Sequence, residues 1–488
     1  MKDDLSARDE TQLKNDQVKQ KRRETAGRGE GKYVYRRVFA VVMVLCATAM
    51  FGFVWYRFVL HNNQTGHLTG LGNIGMALGI YAILFLLLGN ALRAFRIGVD
   101  RKATLLAGVA LTCITTAFIE LFVSSAITGQ FRFFPRFLWR YALLVAAQIV
   151  LFCAFALLMT NLYRRVFPPL QILEVYGDEE HGLQRKVDDI PYKYHIAETV
   201  PYTASSEELK KKMQSYDAVL INDIPSREKN AILKLCVDQD KRVYLVPKIS
   251  DVIVRYAQPL NLFDTPLFLQ RNIGMTKTEA FFKRLFDVLL SVMAVIVLSP
   301  VFLVTSIAIK IEDGGPVFFR QERVTIGHKH FQIIKFRSMI VDAEKDGKSH
   351  PAQERDHRIT KVGRVIRAMR IDELPQLINI IKGDMSIVGP RPERVEHVAM
   401  YEEAIPEFAF RYKVKGGLTG YAQVYGKYNT TALDKLKLDL MYIMNYSFLL
   451  DVQILFETVK ILFQKESTEG FTAEKATQIH DSDISAEN

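Results

Sequence analysis

Val288-Leu-Leu-Ser-Val-Met-Ala-Val-Ile-Val-Leu-Ser-Pro-Val-Phe-Leu-Val-Thr-Ser-Ile-Ala-Ile309 is the stretch on which the architecture turns. It is apolar throughout and long enough to cross a bilayer, which takes about 20 residues. Lys283 and Arg284 precede it; Lys310, Arg320, Arg323 and Lys329 follow. Basic residues on both sides are what a segment entering and leaving by one face would show. Ser299-Pro300 lies in its middle. Proline in a helix interior removes a hydrogen bond, at about 3 kcal/mol, and a neighbouring serine can satisfy the freed carbonyl at a bend. The pattern predicts a re-entrant membrane helix over 286–310, broken at Ser299 and Pro300. A kinked fifth span is the alternative, and it would put everything after Lys310 on the far side.

Working toward the N-terminus, four further runs are long enough to span: Val38–Leu60, Leu71–Leu92, Ala103–Ile127 and Leu138–Leu162. Arg93–Lys102 and the segment carrying Arg164 and Arg165 are basic, whereas His61–Gly70 has neither Lys nor Arg, so both ends of this block, residues 37–165, are expected inside. Arg132 and Arg136 in the third loop run against the alternation. Residues 1–36 read as a disordered basic tail, with no signal peptide. Glu120 is the one acid well inside a span and reads as a helix-edge residue.

The chain has 488 residues, a net charge of +11, and 49% apolar residues with a mean hydropathy near zero. That balance excludes a disordered chain and an all-membrane transporter. With membrane runs present, the basic excess points to the lipid bilayer and anionic substrates, not nucleic acid. Cys46, Cys113, Cys153 and Cys236 form no CxxC pair, so neither a disulfide framework nor a zinc site is expected.

Between Leu170 and Arg271 short apolar runs alternate with amphipathic ones. Leu170–Tyr176, Ala218–Ile221 and Arg242–Val246 read as strands; Ser205–Met213 and Ser226–Cys236 read as helices, the first capped by Ser205. A Rossmann-like cytoplasmic domain over 169–272 follows. The turn Gly177-Asp-Glu-Glu-His-Gly puts acids where a pyrophosphate would sit, so a structural or regulatory role is favoured over nucleotide binding.

Charged motifs crowd the C-terminal part. Phe331–Phe336 alternates as a short strand that would project Lys335 and Arg337 to one side, toward phosphate or carboxylate. The run Arg364-Val-Ile-Arg-Ala-Met-Arg-Ile-Asp-Glu-Leu-Pro375 centres on the adjacent acids Asp372 and Glu373. Arg364, Arg367 and Arg370 are spaced to share a helix face, and cations near a carboxylate keep it ionised, as a nucleophile or metal ligand must be. Pro375 would open a helix whose N-terminal end favours negative charge. Val388-Gly-Pro-Arg391-Pro is a rigid turn suited to aiming an arginine at phosphate. Lys415–Asn429 holds glycines whose amides could face an anion, with a plain flexible loop as the alternative. Asp434–Ser447 and Leu449–Phe463 read as amphipathic helices of the headgroup layer, followed by a polar tail over 466–488.

These motifs resemble the bacterial polyprenyl-phosphate sugar-1-phosphate transferases of the monotopic type. The resemblance covers about Lys283–Lys465 and rests on Lys-Arg-x-x-Asp before a Ser-Pro helix, Lys335-Phe-Arg-Ser-Met, Asp372-Glu-Leu-Pro-Gln-Leu, Met385-Ser-Ile-Val-Gly-Pro-Arg-Pro and Leu418-Thr-Gly-Tyr-Ala-Gln-Val. Four preceding spans and a Rossmann-like domain are similar to the larger branch, which initiates capsule, exopolysaccharide or O-antigen repeats. The implied fold is a membrane α-helical bundle plus α/β, with a catalytic domain over 281–465 on the cytoplasmic face of the bacterial inner membrane.

The implied reaction takes a UDP-sugar, a UDP-hexose ahead of N-acetylated sugars, and undecaprenyl phosphate to undecaprenyl diphosphate-sugar and UMP. By that resemblance Asp372 attacks phosphorus and becomes a covalent phosphosugar; Glu373 holds Mg²⁺; Lys335, Arg337, Arg367, Arg391 and Lys427 contact phosphates; Asp439 matches an acidic position. Later polysaccharide-assembly enzymes and a second copy of the chain are the implied protein partners. Gly416 stands where the family commonly has proline, and Lys427 where it commonly has arginine, which bears on nucleotide or sugar preference. Two other classes remain: a catalytically silent scaffold of a polysaccharide machinery, and a transporter built on five spans.

Overall fold

The computed structural model describes residues 30–60, 71–128, 134–177, 183–270, 274–341, 343, 356–426 and 430–462. The chain divides into two compact units, Met1–Val246 and Pro247–Asn488.

The first unit opens with helix α1, Glu30–Arg57, whose end passes into a π-helical turn at Trp55–Leu60. Helices α2 (Leu71–Ala91), α3 (Lys102–Thr128) and α4 (Phe134–Val166) follow. All four are long and apolar enough to cross a membrane. The expected tail of residues 1–36 is shortened, because α1 already begins at Glu30. Arg36 explains this: it donates to the Ile97 carbonyl at 3.0 Å and to the Tyr163 hydroxyl at 3.1 Å, tying the first turns into the bundle. Residues 1–29 and the tail 466–488 lie outside the described residues. Glu120 is fully buried on α3, not at a helix edge.

A parallel sheet completes this unit, with strands β1 (Leu170–Tyr176), β2 (Tyr194–Pro201), β3 (Ala218–Asn222) and β4 (Arg242–Leu245) in the order β2-β1-β3-β4. Helices α5 (Gln184–Asp188), α6 (Ser206–Met213) and α7 (Ser226–Asp238) connect them. Ser205 caps α6 as its sequence suggests, accepting from the Glu208 amide at 3.2 Å. Strand β2 had no apolar run to announce it: only Ile196 and Val200 are buried, and His195 and Glu198 intervene.

The second unit begins with α8 (Ile249–Arg255) and the hairpin β5 (Gln258–Leu262) and β6 (Thr265–Leu269). Val252 of α8 packs with Phe408, Leu436 and Leu440 of this unit. Helix α9, Lys277–Asp313, starts at a capping box between Thr276 and Glu279 and ends at Gly314, whose φ of 71° suits glycine. Strands β7 (Phe318–Thr325) and β8 (Lys329–Phe336) form an antiparallel hairpin. Then come α10 (Lys361–Ala368), α11 (Gln376–Lys382), strand β9 (Ser386–Val388), α12 (Val395–Ala404), strand β10 (Gly417–Thr419), α13 (Tyr421–Tyr425), α14 (Ala432–Met444) and α15 (Phe448–Leu462). Strand β10 pairs parallel with β9. Helix α14 buries Leu436, Asp439, Leu440, Tyr442 and Ile443, so its apolar face is a core face.

Helix α9 runs without interruption through Pro300. The reason is local. Proline has no N–H for the carbonyl four residues back, Ile296, and Ser299 Oγ donates to that same oxygen at 2.8 Å. Both ends of α9 attach to the same unit. At its start Lys283 pairs with Asp451 at 2.6 Å, and Asp287 accepts from Ser386 Oγ at 2.7 Å and the Ile387 amide at 3.1 Å. At its end Asp313 pairs with Arg337, and Glu312 accepts from the Lys361 amide at 2.7 Å. Between those anchors Ile296, Val297 and Val304 are about two-thirds exposed, an apolar surface that water would disfavour.

Candidate active site

Asp372 and Glu373 sit on a single 3₁₀ turn, Ile371–Glu373, between α10 and α11. Helix α10 stops at Ala368, and Arg370 adopts a left-handed backbone with φ of 56°. Arg370 therefore leaves the helix face that it was expected to share with Arg364 and Arg367. The bend presents both acids ahead of α11, whose N-cap is Pro375.

Glu373 is ringed by cations. Its Oε1 lies 3.0 Å from Arg391 Nη2, 3.7 Å from Lys335 Nζ and 3.7 Å from Arg370 Nη1. Burial opposes its charge, but Arg391, Lys335 and Arg370 outweigh that and hold the carboxyl far below the usual carboxylate range. Asp372 behaves oppositely. Burial, then the charge of Glu373, raises its carboxyl above the ordinary value, against the pull of Lys335, Arg367 and Arg370. The surrounding cations do act on Asp372 as expected, but burial and the charge of Glu373 outweigh them there, whereas on Glu373 the cations prevail. Asp372 Oδ1 is buried with no hydrogen-bond partner among the described residues, and so is Nε2 of Gln376, one helical turn on.

The remaining predicted residues divide. Lys335, on β8, reaches the acids; burial pushes it down to about 8, with Arg391 and Arg323 adding to that and Glu373 opposing. Arg367 acts on Asp372 through its charge. Arg337 does not join the cluster. Strand β8 ends at Phe336, so the alternation expected to align it with Lys335 stops, and Arg337 pairs with Asp313 and donates to the Pro316 carbonyl at 2.7 Å. Asp439 is buried one step behind the site, 2.7 Å from Arg411 Nε. Lys427 lies outside the described residues. Ser299 and Pro300 belong to α9, as described above.

Sequence reading missed Arg323, Gln376, Glu393 and Arg411. Arg411 Nη2 donates to the Arg391 carbonyl at 3.0 Å, and Arg323 Nη1 to the Pro392 carbonyl at 3.2 Å. Glu393 accepts from Lys435 Nζ at 3.0 Å; burial works against its charge, but Lys435 and Arg411 hold the carboxyl down at about 2. The one available signal was a charge set among large apolar residues, such as Arg411 between Phe410 and Tyr412, and it is weak.

Among the described residues no three acidic, histidine or cysteine side chains cluster to cage a metal. A Mg²⁺ ion needs no such cage where one or two carboxylates are joined by substrate phosphates. The orphaned Asp372 oxygen beside Glu373 fits that kind of site. What the arrangement offers chemically is a carboxylate oxygen without a donor among the described residues, beside a basin of partly buried positive charge.

The sequence profile described as "Bacterial sugar transferase" matches residues 278–465. A UDP-N-acetylgalactosamine-undecaprenyl-phosphate N-acetylgalactosaminephosphotransferase of Aeromonas hydrophila is 40% identical over 253 residues, 51% of this chain and 59% of its own length. A UDP-glucose:undecaprenyl-phosphate glucose-1-phosphate transferase of Klebsiella pneumoniae is 43% identical over 203 residues, 41% of this chain and 42% of its own. The chain thus spans only about half the length of these two relatives. An uncharacterized sugar transferase of Bacillus subtilis, EpsL, is 39% identical over 198 residues, 40% of this chain and 95% of its own length. A match that takes in nearly the whole of that protein, together with a profile that covers the acid pair and its basic basin, means that the chain belongs to the bacterial sugar transferase family.

Proposed function

We propose that this protein transfers a sugar-1-phosphate from a UDP-sugar to undecaprenyl phosphate, yielding undecaprenyl diphosphate-sugar and UMP at the cytoplasmic face of the inner membrane. The observation that carries this reading is the buried, donor-free Oδ1 of Asp372 beside Lys335, Arg370 and Arg391. The names of the relatives from Aeromonas hydrophila and Klebsiella pneumoniae supply the donor and acceptor classes.

In the first half-reaction an Asp372 oxygen forms a bond to the sugar-bearing phosphorus, and the bond from that phosphorus to the UMP oxygen breaks, so UMP departs with the electron pair. In the second, a phosphate oxygen of undecaprenyl phosphate forms the new bond to the same phosphorus and Asp372 leaves as its carboxylate. Lys335, Arg367 and Arg391 orient the diphosphate and offset its charge. Glu373, with Asp372 Oδ1 beside it, would hold Mg²⁺. That ion supplies charge neutralisation for the phosphates and the departing nucleotide.

The re-entrant reading of α9 is supported by its two anchored ends. A straight helix would part the anchors Lys283 and Asp313 by about 45 Å at 1.5 Å per residue, yet both are bonded to one folded unit. In this reading α9 stays helical but bends at Pro300, so that it dips in and returns and leaves Asp372 on the side where UDP-sugars are made.

The test is UMP release by the purified protein in nanodiscs, with Mg²⁺ and a panel of UDP-hexoses and UDP-N-acetylhexosamines. Without lipid acceptor, one UDP-sugar should give UMP in proportion to enzyme and leave label on the protein; Asp372→Asn should give neither. Absence of release from every donor would favour the silent scaffold.

A further inference from the structure

The turn that carries Arg391 is held far more firmly than a surface loop requires. Pro390 and Pro392 fix φ on either side, and a side chain at Gly389 would meet the Lys415 carbonyl at 2.4 Å. Four successive carbonyls along this turn are taken by donors. Pro390 accepts from the Gly417 amide at 2.8 Å, Arg391 from Arg411 Nη2 at 3.0 Å, Pro392 from Arg323 Nη1 at 3.2 Å, and Glu393 from the Val324 amide at 3.1 Å. Two of these donors are guanidinium groups where neutral amides would serve. Arg411 is only 1% exposed, and burying such a charge is costly unless it is paired. Its partners come from α14 and from the turn itself: Asp439 at 2.7 Å and Glu393 at 3.7 Å, with Lys435, one helical turn before Asp439, holding Glu393. Arg323 lies on the hairpin that also carries Lys335, and its Nε is buried without a partner among the described residues.

We infer that Arg411, braced by Asp439, and Arg323 are positioning residues that aim the Arg391 guanidinium at the diphosphate of the nucleotide-sugar. This rests on the reading above, in which Arg391 meets an anionic donor. It also gives Asp439 a different task from substrate contact: it acts two links away, through Arg411 and the Arg391 backbone. The aimed guanidinium lies 3.0 Å from Glu373, at the acid pair. The diphosphate would meet a group already pointed at it and would not have to organise it.

The experiment is a double-mutant cycle on the full chain in nanodiscs, reading KM and kcat for UMP release with whichever UDP-sugar the wild type uses. Arg411→Lys keeps the charge but loses the fork that spans Asp439 and the Arg391 carbonyl. It should raise KM for the donor about tenfold, in line with the cost of misplacing a reacting group, and change kcat less; Asp439→Asn should do the same. In the Arg391→Lys background, adding Arg411→Lys should cost little more, because its effect runs through Arg391. Losses that multiply in the double variant, or a wild-type KM for Arg411→Lys, would overturn the inference while leaving the transferase reading intact. An Arg391→Lys protein with unchanged KM would overturn the inference together with the placement of Arg391 at the donor, whereas loss of the transferase reading itself is read from absent UMP release by the wild type. If Arg411→Lys shows no cooperative thermal transition, Arg323→Lys carries the same cycle with the same expected non-additivity.

Discussion

Asp372 and Glu373 are adjacent in the chain and sit on one turn, yet their carboxyls move in opposite directions. The difference lies in which oxygen the cations reach. Arg391, Lys335 and Arg370 converge on Glu373, leaving Asp372 with the cost of burial. Two limbs of a pH profile follow. As pH falls, Asp372 protonates at a value above the ordinary carboxylate figure of about 3.9, and kcat/KM for UMP release should drop. As pH rises through about 8, Lys335 loses its charge and donor binding should weaken. Arginine keeps its charge there, so Lys335→Arg should push the alkaline limb upward and leave the acid limb in place. An unchanged alkaline limb would remove Lys335 from the basin. The acid pair, Lys335 and Arg391 were legible in sequence because each sits in a charged motif set within apolar residues. Arg323, Glu393 and Arg411 were not, since their roles come from partners far away along the chain. Arg337 shows the limit of two-residue periodicity: it holds only while the strand lasts, and β8 ends one residue earlier.

At the scale of an element, α9 is the part whose composition said most and whose ends said least. Its apolar length was plain, but that Lys283, Asp287 and Asp313 are buried or paired roots, not flanking charges in a headgroup layer, needed the packing. Lys283 and Asp451 are nearly inaccessible. Asp451→Ala should therefore destabilise the protein by about 3–5 kcal/mol, the usual cost of stranding a buried charge, measured as a lowered midpoint of unfolding in detergent. Lys283→Met with Asp451→Leu should recover most of it. If both ends of α9 lie on one side, a cysteine introduced just after Lys310 should stay unlabelled by an impermeant maleimide applied to intact cells. Labelling from outside would make α9 a fifth span and reverse the placement of the site.

On the scale of the molecule, the two compact units have different content: four apolar helices and a parallel sheet in one, the acid pair and every residue argued to act with it in the other. The fragment Pro247–Asn488, purified in nanodiscs, should therefore release UMP from the donor used by the full chain, with kcat within about threefold, which is under about 1 kcal/mol of barrier. Loss of all release from a fragment that still unfolds cooperatively would make the first unit part of the catalyst. The alternation of strand and helix made the parallel sheet legible, whereas the allegiance of α8 and the hairpin after it did not show, because contacts such as Val252 with Phe408 have no local signature. Anchoring α9 at both ends also makes its register count. One residue inserted between Pro300 and Asp313 would turn the outgoing arm by about 100° and carry Asp313 off Arg337, whereas the same insertion in Gly314-Gly315 would be absorbed as slack. The helix works as a gauge of fixed length, and drift in its sequence is freer in residue type than in residue count.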